Sequence, residues 1–148
     1  MKILVLHGPN LNLFGRREPH IYGTTTLAEI DARLAALAAE LGVELETLQS
    51  NHEGDLIDFL HRNIDTAAGA LVNPAGLTQH GVPLHDAIKA MPFPVLEVHM
   101  SNIAAREEWR HHSIISSAVK GTVQGFGWRS YANALRAIVD IAREAKKA

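Results

Sequence analysis

The 148-residue chain contains no cysteine. Disulfides and thiolate chemistry are therefore excluded, and the composition suits a reducing compartment such as the cytoplasm. No excess of basic charge is present. The formal net charge is −2, which gives no reason to expect a nucleic-acid or anionic-membrane partner. No apolar run is long enough for a membrane span. The opening "MKILVLHGPN" is too short an apolar run for a signal peptide and reads as a strand. Linker-like stretches, low-complexity segments and long-period repeats are absent. One domain spanning 1–148 is the expectation at this length.

Several chemical signatures are missing as well. No HExxH occurs, and His80 and His85 stand five apart, off the spacing that shares a helix face. His111 and His112 are adjacent and would point apart on a helix. "GTVQGFGWRS" holds a Gly-x-Gly, but serine replaces the third glycine and the motif follows the last strand. A signalling receiver needs acids after its first strand, and here that segment opens His-Gly-Pro-Asn. What the chain does have in quantity is histidine, nine in all.

Apolar runs alternate with helical patterns along the chain. Strands are predicted at Lys2 to His7, Val43 to Gln49, Gly69 to Asn73, Pro94 to His99 and Ala118 to Gln124. Leu27, Ile30, Leu34, Leu37 and Leu41 mark one helix face. Thr26 and Glu29 have capping-box spacing at its start, and Gly42 is placed to end it. Ser50 and Glu53 repeat the capping-box spacing before a helix bearing Leu56, Ile57, Leu60 and Ile64. Val82 to Met91 reads as a helix with Pro83 in its first turn, and a long helix closes the chain from Trp128. Five strands alternating with helices predict an α/β fold. It is a flavodoxin-like, doubly wound three-layer sandwich around a five-stranded parallel sheet. Ligands of such folds bind beyond the carboxyl ends of the strands. The segments after strands one, two, three and four are rich in Asn, His, Arg and Ser.

Candidate chemistry gathers in those segments. The long loop after strand one carries Arg16, Arg17 and Tyr22. A neighbouring cation favours a phenolate, so a tyrosine there can serve as a base; the alternative is a surface tyrosine with solvated arginines. Glu97 and His99 are two apart on one strand and share a face. That pairing suits a general acid, or equally a satisfied edge histidine. Ser101 could help hold an anion before the following segment. Arg106 and Arg110 would share a face if their segment is helical, where they bind a carboxylate or simply form a solvated surface. Asn10 and Asn73 end strands and either cap the chain or bind substrate.

"HGPNLNLFGRREPHIYG", "QSNHEGDLIDFLH" and "EVHMSNIAAREEWRHHS" closely resemble the type II 3-dehydroquinate dehydratases, over essentially the whole chain. The resemblance implies dehydration of 3-dehydroquinate to 3-dehydroshikimate through an enolate. It implies no metal and no cofactor, and a homo-dodecamer built as four trimers. That reaction serves aromatic amino acid biosynthesis and quinate catabolism alike. By position, Tyr22 matches the family's base, Arg17 the arginine that activates it, with Arg16 beside it. His99 matches the general acid and Glu97 its partner. Asn10 matches a residue that holds a water against the enolate oxygen. Asn73 and Arg110 match substrate-hydroxyl binders, and Ser101 with the Met100 backbone matches the carboxylate site. Asp86 matches an acid reaching into a neighbouring subunit's site.

One loop departs from the family's pattern. Where the family usually reads Asn-Pro-Gly-(Ala/Gly)-x-Thr-His, this chain reads "NPAGLTQHGVPLHD". The substrate-binding histidine is Gln79, the following serine is Gly81, and the arginine before Asp86 is His85. Glutamine can hold a hydroxyl but cannot carry charge. Two alternatives therefore stand beside the dehydratase. One is a sister lyase acting on a related cyclic hydroxy-keto acid; the other is a weakly active binding protein that keeps the pocket.

Overall fold

A computed structural model describes residues 1–148. Five strands, β1 (Lys2–His7), β2 (Glu44–Gln49), β3 (Ala67–Asn73), β4 (Val95–His99) and β5 (Gly121–Gln124), form one parallel sheet in the order β2-β1-β3-β4-β5. The helices are α1 (Pro19–Tyr22), α2 (Leu27–Leu41), α3 (Glu53–Arg62), α4 (Val82–Lys89) and α5 (Arg129–Lys147). The order is the flavodoxin-like one, as the alternating pattern predicts.

Alternation along the strands divides the core in two. Ile3 and Val5 of β1 pack with Leu71, Leu96 and Val98 against Ile30 and Leu34 of α2 and Leu135 and Ile138 of α5. Leu4 and Leu6 face the other way, with Ala70, Val72 and Val95, against Leu56 and Leu60 of α3 and Leu84 and Ile88 of α4. Helices thus cover both faces, which parallel sheets require because neither face can meet water.

The Thr26–Glu29 capping box forms, with Thr26 Oγ1 accepting from the Glu29 N–H and Glu29 Oε2 accepting from the Thr26 N–H. Gly42 ends α2 in the left-handed conformation. The second predicted box does not form. Residue His52 caps α3, Ser50 Oγ donates to Asp55 Oδ2 at 2.6 Å, and Glu53 Oε2 accepts from the Leu84 N–H. Tertiary partners take both side chains. Ile64 lies beyond the end of α3, and β5 begins at Gly121 because Ser116 to Ala118 form a 3-10 turn. The segment bearing Arg106 and Arg110 is likewise two 3-10 turns, Ile103–Ala105 and Glu108–Arg110, not one helix.

The strand order reverses between β1 and β3, and there the two strand tails approach closely. The Gly8 N–H donates to the Asn73 carbonyl at 2.8 Å, and a Cβ on Gly8 would lie 2.7 Å from the Pro74 oxygen. Only glycine permits that approach. Beyond it, Ala75 holds a left-handed backbone (φ 51°), which sends the chain back across the strand ends.

Candidate active site

A crevice opens beyond the carboxyl ends of β1, β3 and β4, at the reversal of strand order. Its lining includes Arg17, Tyr22, Asn73, Gln79, His99, Met100, Ser101, Arg106 and Arg110 from the residues singled out in the sequence. Three segments far apart in the chain converge: the loop after β1, the turn after β3 and the turns after β4.

Tyr22 ends the one-turn helix α1, which begins at Pro19 as a first-turn proline should. Its ring packs on Phe14 with centroids 5.6 Å apart. The Arg17 guanidinium lies 5.3 Å from the ring centroid and that of Arg106 5.2 Å. Nη1 of Arg106 donates to the phenolic oxygen at 2.7 Å. Negative charge on that oxygen therefore meets a cation at hydrogen-bonding distance. The Arg106 side chain is 10% exposed, and its Nε has no hydrogen-bond partner. Sequence spacing paired Arg106 with Arg110; the contact with Tyr22, 84 positions away, has no local signature.

The Glu97–His99 pair is placed on one face by the two-residue period of β4, and His99 lines the same crevice. His99 Nε2 donates to Glu97 Oε2 at 2.6 Å, and Glu97 is fully buried. Glu97 Oε1 accepts from Ser113 Oγ at 2.9 Å and Ser116 Oγ at 3.1 Å. A buried carboxylate requires such donors. The two serines were not evident from sequence, since they lie in an irregular segment 16 and 19 positions away. With Nε2–H spent on Glu97, Nδ1 is the ring nitrogen left for proton exchange.

The turn after β3 supplies Asn73 and Gln79. Asn73 Oδ1 accepts from the Ala75 N–H at 3.2 Å and Nδ2 donates to the Tyr131 hydroxyl at 3.0 Å. Gln79 Nε2 donates to the Arg110 carbonyl at 3.2 Å, which fixes the amide's orientation, and its buried Oε1 has no partner. Arg110 Nε donates to Glu107 Oε2 at 2.8 Å. The Glu107 carboxyl is held below its ordinary value by its own backbone N–H first and by Arg110 next.

Of the residues singled out from sequence, Glu97 lies buried behind the lining, hydrogen-bonded to His99, and three others stand outside the crevice. Asn10 is exposed with a left-handed backbone (φ 70°), and its N–H donates to Asn51 Oδ1. Arg16 is exposed. Asp86 points to solvent from α4, paired with His85 Nδ1 at 3.0 Å, while His85 Nε2 meets Ser117 Oγ. His85 therefore holds Asp86, and His80 lies exposed on the other side of the turn. No three His, Asp or Glu side chains gather as metal ligands.

The whole chain, not just the crevice, has relatives of the same kind. The family model described as dehydroquinase class II matches residues 1–139. The 3-dehydroquinate dehydratase of Desulforudis audaxviator is 53% identical over 146 residues, 99% of this chain and 97% of that protein. The 3-dehydroquinate dehydratase of Halothermothrix orenii is 47% identical, covering 97% of each. Among solved structures, the type II dehydroquinase of Propionibacterium acnes superposes with a TM-score of 0.91 at 43% identity, over 94% of this chain and 96% of that one. A 3-dehydroquinate dehydratase-like protein from Bifidobacterium longum is more distant, with a TM-score of 0.71 at 26% identity over 95% and 96%. Family model, sequence identity and shared fold agree over nearly all of its length: the chain belongs to the class II dehydroquinase family.

Proposed function

We propose that the protein is a hydro-lyase that converts 3-dehydroquinate to 3-dehydroshikimate, a step of the shikimate pathway. The observation that carries this reading is that two groups line one crevice. One is a tyrosine whose oxygen is held by a guanidinium; the other is a histidine backed by a buried carboxylate. Tyr22, as phenolate, takes the proton alpha to the substrate ketone, and the electron pair moves into an enolate. Arg17 and Arg106 balance the charge on the base. The enolate then collapses, the hydroxyl beta to the ketone leaves, and His99 protonates it to water. The phenol then returns its proton to solvent and His99 takes one back, which restores both groups for the next turnover. Glu97 orients His99 and supports its charged form.

The same reading gives the crevice's polar groups their tasks. Asn73, Gln79 and Arg110 bind ring hydroxyls. Ser101 and the Met100 backbone take the substrate carboxylate. By position in the family, Asn10 helps hold a water against the enolate oxygen and Arg16 stands beside Arg17; both lie exposed in the segment after β1, where closure over substrate would bring them inward. No metal or other cofactor enters these steps.

The assembly is a homo-oligomer, a dodecamer of four trimers in which Asp86 serves a neighbouring subunit. Its exposure on α4, away from its own crevice, supports that role. Light scattering should give twelve times the 16.1 kDa chain mass; a monomer would remove the neighbour's Asp86 from the account. No helix is long and apolar enough to cross a membrane.

The activity is tested by mixing the purified protein with 3-dehydroquinate and following the enone product by ultraviolet absorbance. Absorbance should rise at catalytic protein concentration. Its absence at high concentration would sink the reading. Turnover of a related hydroxy-keto acid in its place would identify a sister lyase, and saturable binding without turnover a binding protein.

A further inference from the structure

The proposed reaction leaves one buried polar network unused. His7 is the last residue of β1, and the strand's alternation turns it, like Ile3 and Val5, toward α2 and α5. Both His7 and Tyr131 of α5 are 0% exposed. A polar group so buried needs partners, and both have them. His7 Nδ1 lies 2.9 Å from the Tyr131 hydroxyl, and His7 Nε2 lies 2.9 Å from Asp31 Oδ1 on α2. The Tyr131 oxygen in turn meets Asn73 Nδ2 at 3.0 Å. The network therefore runs from a half-exposed carboxylate, through two buried side chains, to an amide lining the crevice.

We infer that Tyr131, aligned by His7 and Asp31, is a positioning residue that fixes the amide of Asn73 in one orientation toward substrate. The inference rests on the proposed role of Asn73 as a hydroxyl binder. Its physical basis is the direction of each hydrogen bond. The Asp31 carboxylate only accepts, so His7 Nε2 carries a proton and donates it there. A His7 that carries this one proton has a bare Nδ1, which accepts the Tyr131 hydroxyl proton. The Tyr131 oxygen is left to accept, so it meets the NH2 end of Asn73. At the amide's other end Oδ1 already accepts from the Ala75 N–H. Turning the amide over would set Nδ2 against that N–H. It would also reverse every bond in the chain and set a lone pair of His7 against the carboxylate. Burial raises the Tyr131 phenol well above its ordinary value, so the hydroxyl keeps the proton it must donate. The crevice then meets a fixed pair: the second N–H of Nδ2 and the second lone pair of Oδ1.

The test uses Asp31→Asn and Tyr131→Phe in the full chain. Asparagine at 31 can either donate or accept, so the direction of the network is no longer imposed. Imidazole nitrogen NMR of the wild type should show His7 protonated on Nε2 alone, and Asp31→Asn should show a mixture of tautomers. Both variants should raise KM for 3-dehydroquinate by about fivefold with a smaller change in kcat. The double variant should be no worse than Tyr131→Phe, because both act through one chain. Asp31→Glu should restore the wild-type KM. If Tyr131→Phe fails to fold, Asp31→Asn carries the test, since that side chain is 38% exposed. A wild-type His7 protonated on Nδ1 would overturn the inference. So would additive effects in the double variant, or a loss of thermal stability with KM unchanged. Absence of turnover in the wild type would count against the proposed reaction, while the tautomer of His7 would still decide the network.

Discussion

At position 79 the two ends of one amide have different fates. Nε2 is spent on the Arg110 carbonyl, and Oε1 is buried without a donor. An unpaired buried acceptor is costly in the free protein, so a ligand that offers a hydroxyl there gains what the site lacks. Gln79→Met keeps the volume and removes the acceptor, together with the donor to the Arg110 carbonyl. KM should rise by about tenfold with kcat much less affected, measured by steady-state kinetics. An unchanged KM would show that Oε1 does not meet substrate. The resembling family keeps histidine at this position, which can titrate; glutamine holds its hydrogen-bonding character at every pH. Gln79 was visible in the sequence as a departure from a motif. That its carbonyl would be the free end was not, because the Arg110 carbonyl that takes its NH2 comes from a segment 31 positions away.

Among elements, the tails of β1 and β3 decide whether the crevice exists. They are tied by the Gly8 N–H to the Asn73 carbonyl and are closer than a side chain at Gly8 would permit. Gly8→Ala puts a methyl 2.7 Å from the Pro74 oxygen, which is backbone and cannot swing aside. Thermal or urea denaturation should show a loss of about 1–3 kcal/mol, the usual cost of overpacking. Activity should fall further than stability, since Asn73 moves with its strand. Local signals at this scale were read correctly where the partners are local. Thr26 and Glu29 form their box because nothing else competes for them. Ser50 and Glu53 have the same spacing and do not, because Asp55 and the Leu84 N–H claim them. The Arg106–Arg110 segment was harder still. It has helical spacing but folds as two short turns, with Arg106 drawn to Tyr22 and Arg110 to Glu107.

For the whole molecule, the alternating pattern made the sheet legible, and the sheet placed the site. Apolar runs separated by amphipathic helices allow few arrangements, and the reversal of strand order in such folds marks the crevice. Contacts that cross the fold, such as His7 with Tyr131, leave no trace in local sequence. One consequence concerns pH. The unfolded chain releases the Tyr131 proton near pH ~10, whereas burial raises the phenol in the fold. Above that pH the folded state holds more protons than the unfolded one, so stability falls as pH rises. This contribution is fully present below about pH 10 and is lost above it. Melting temperatures should decline on the alkaline side, and Tyr131→Phe should flatten that decline; an unchanged alkaline slope in the variant would contradict it. The central claim, though, concerns one proton and one oxygen. Tyr22→Phe keeps the ring against Phe14 and beside the Arg17 and Arg106 guanidiniums while deleting the proposed base. Enone formation from 3-dehydroquinate and calorimetric binding of the same ligand should be measured side by side. Turnover should be abolished with binding largely retained; near-normal turnover in Tyr22→Phe would contradict the assignment of Tyr22 as the base.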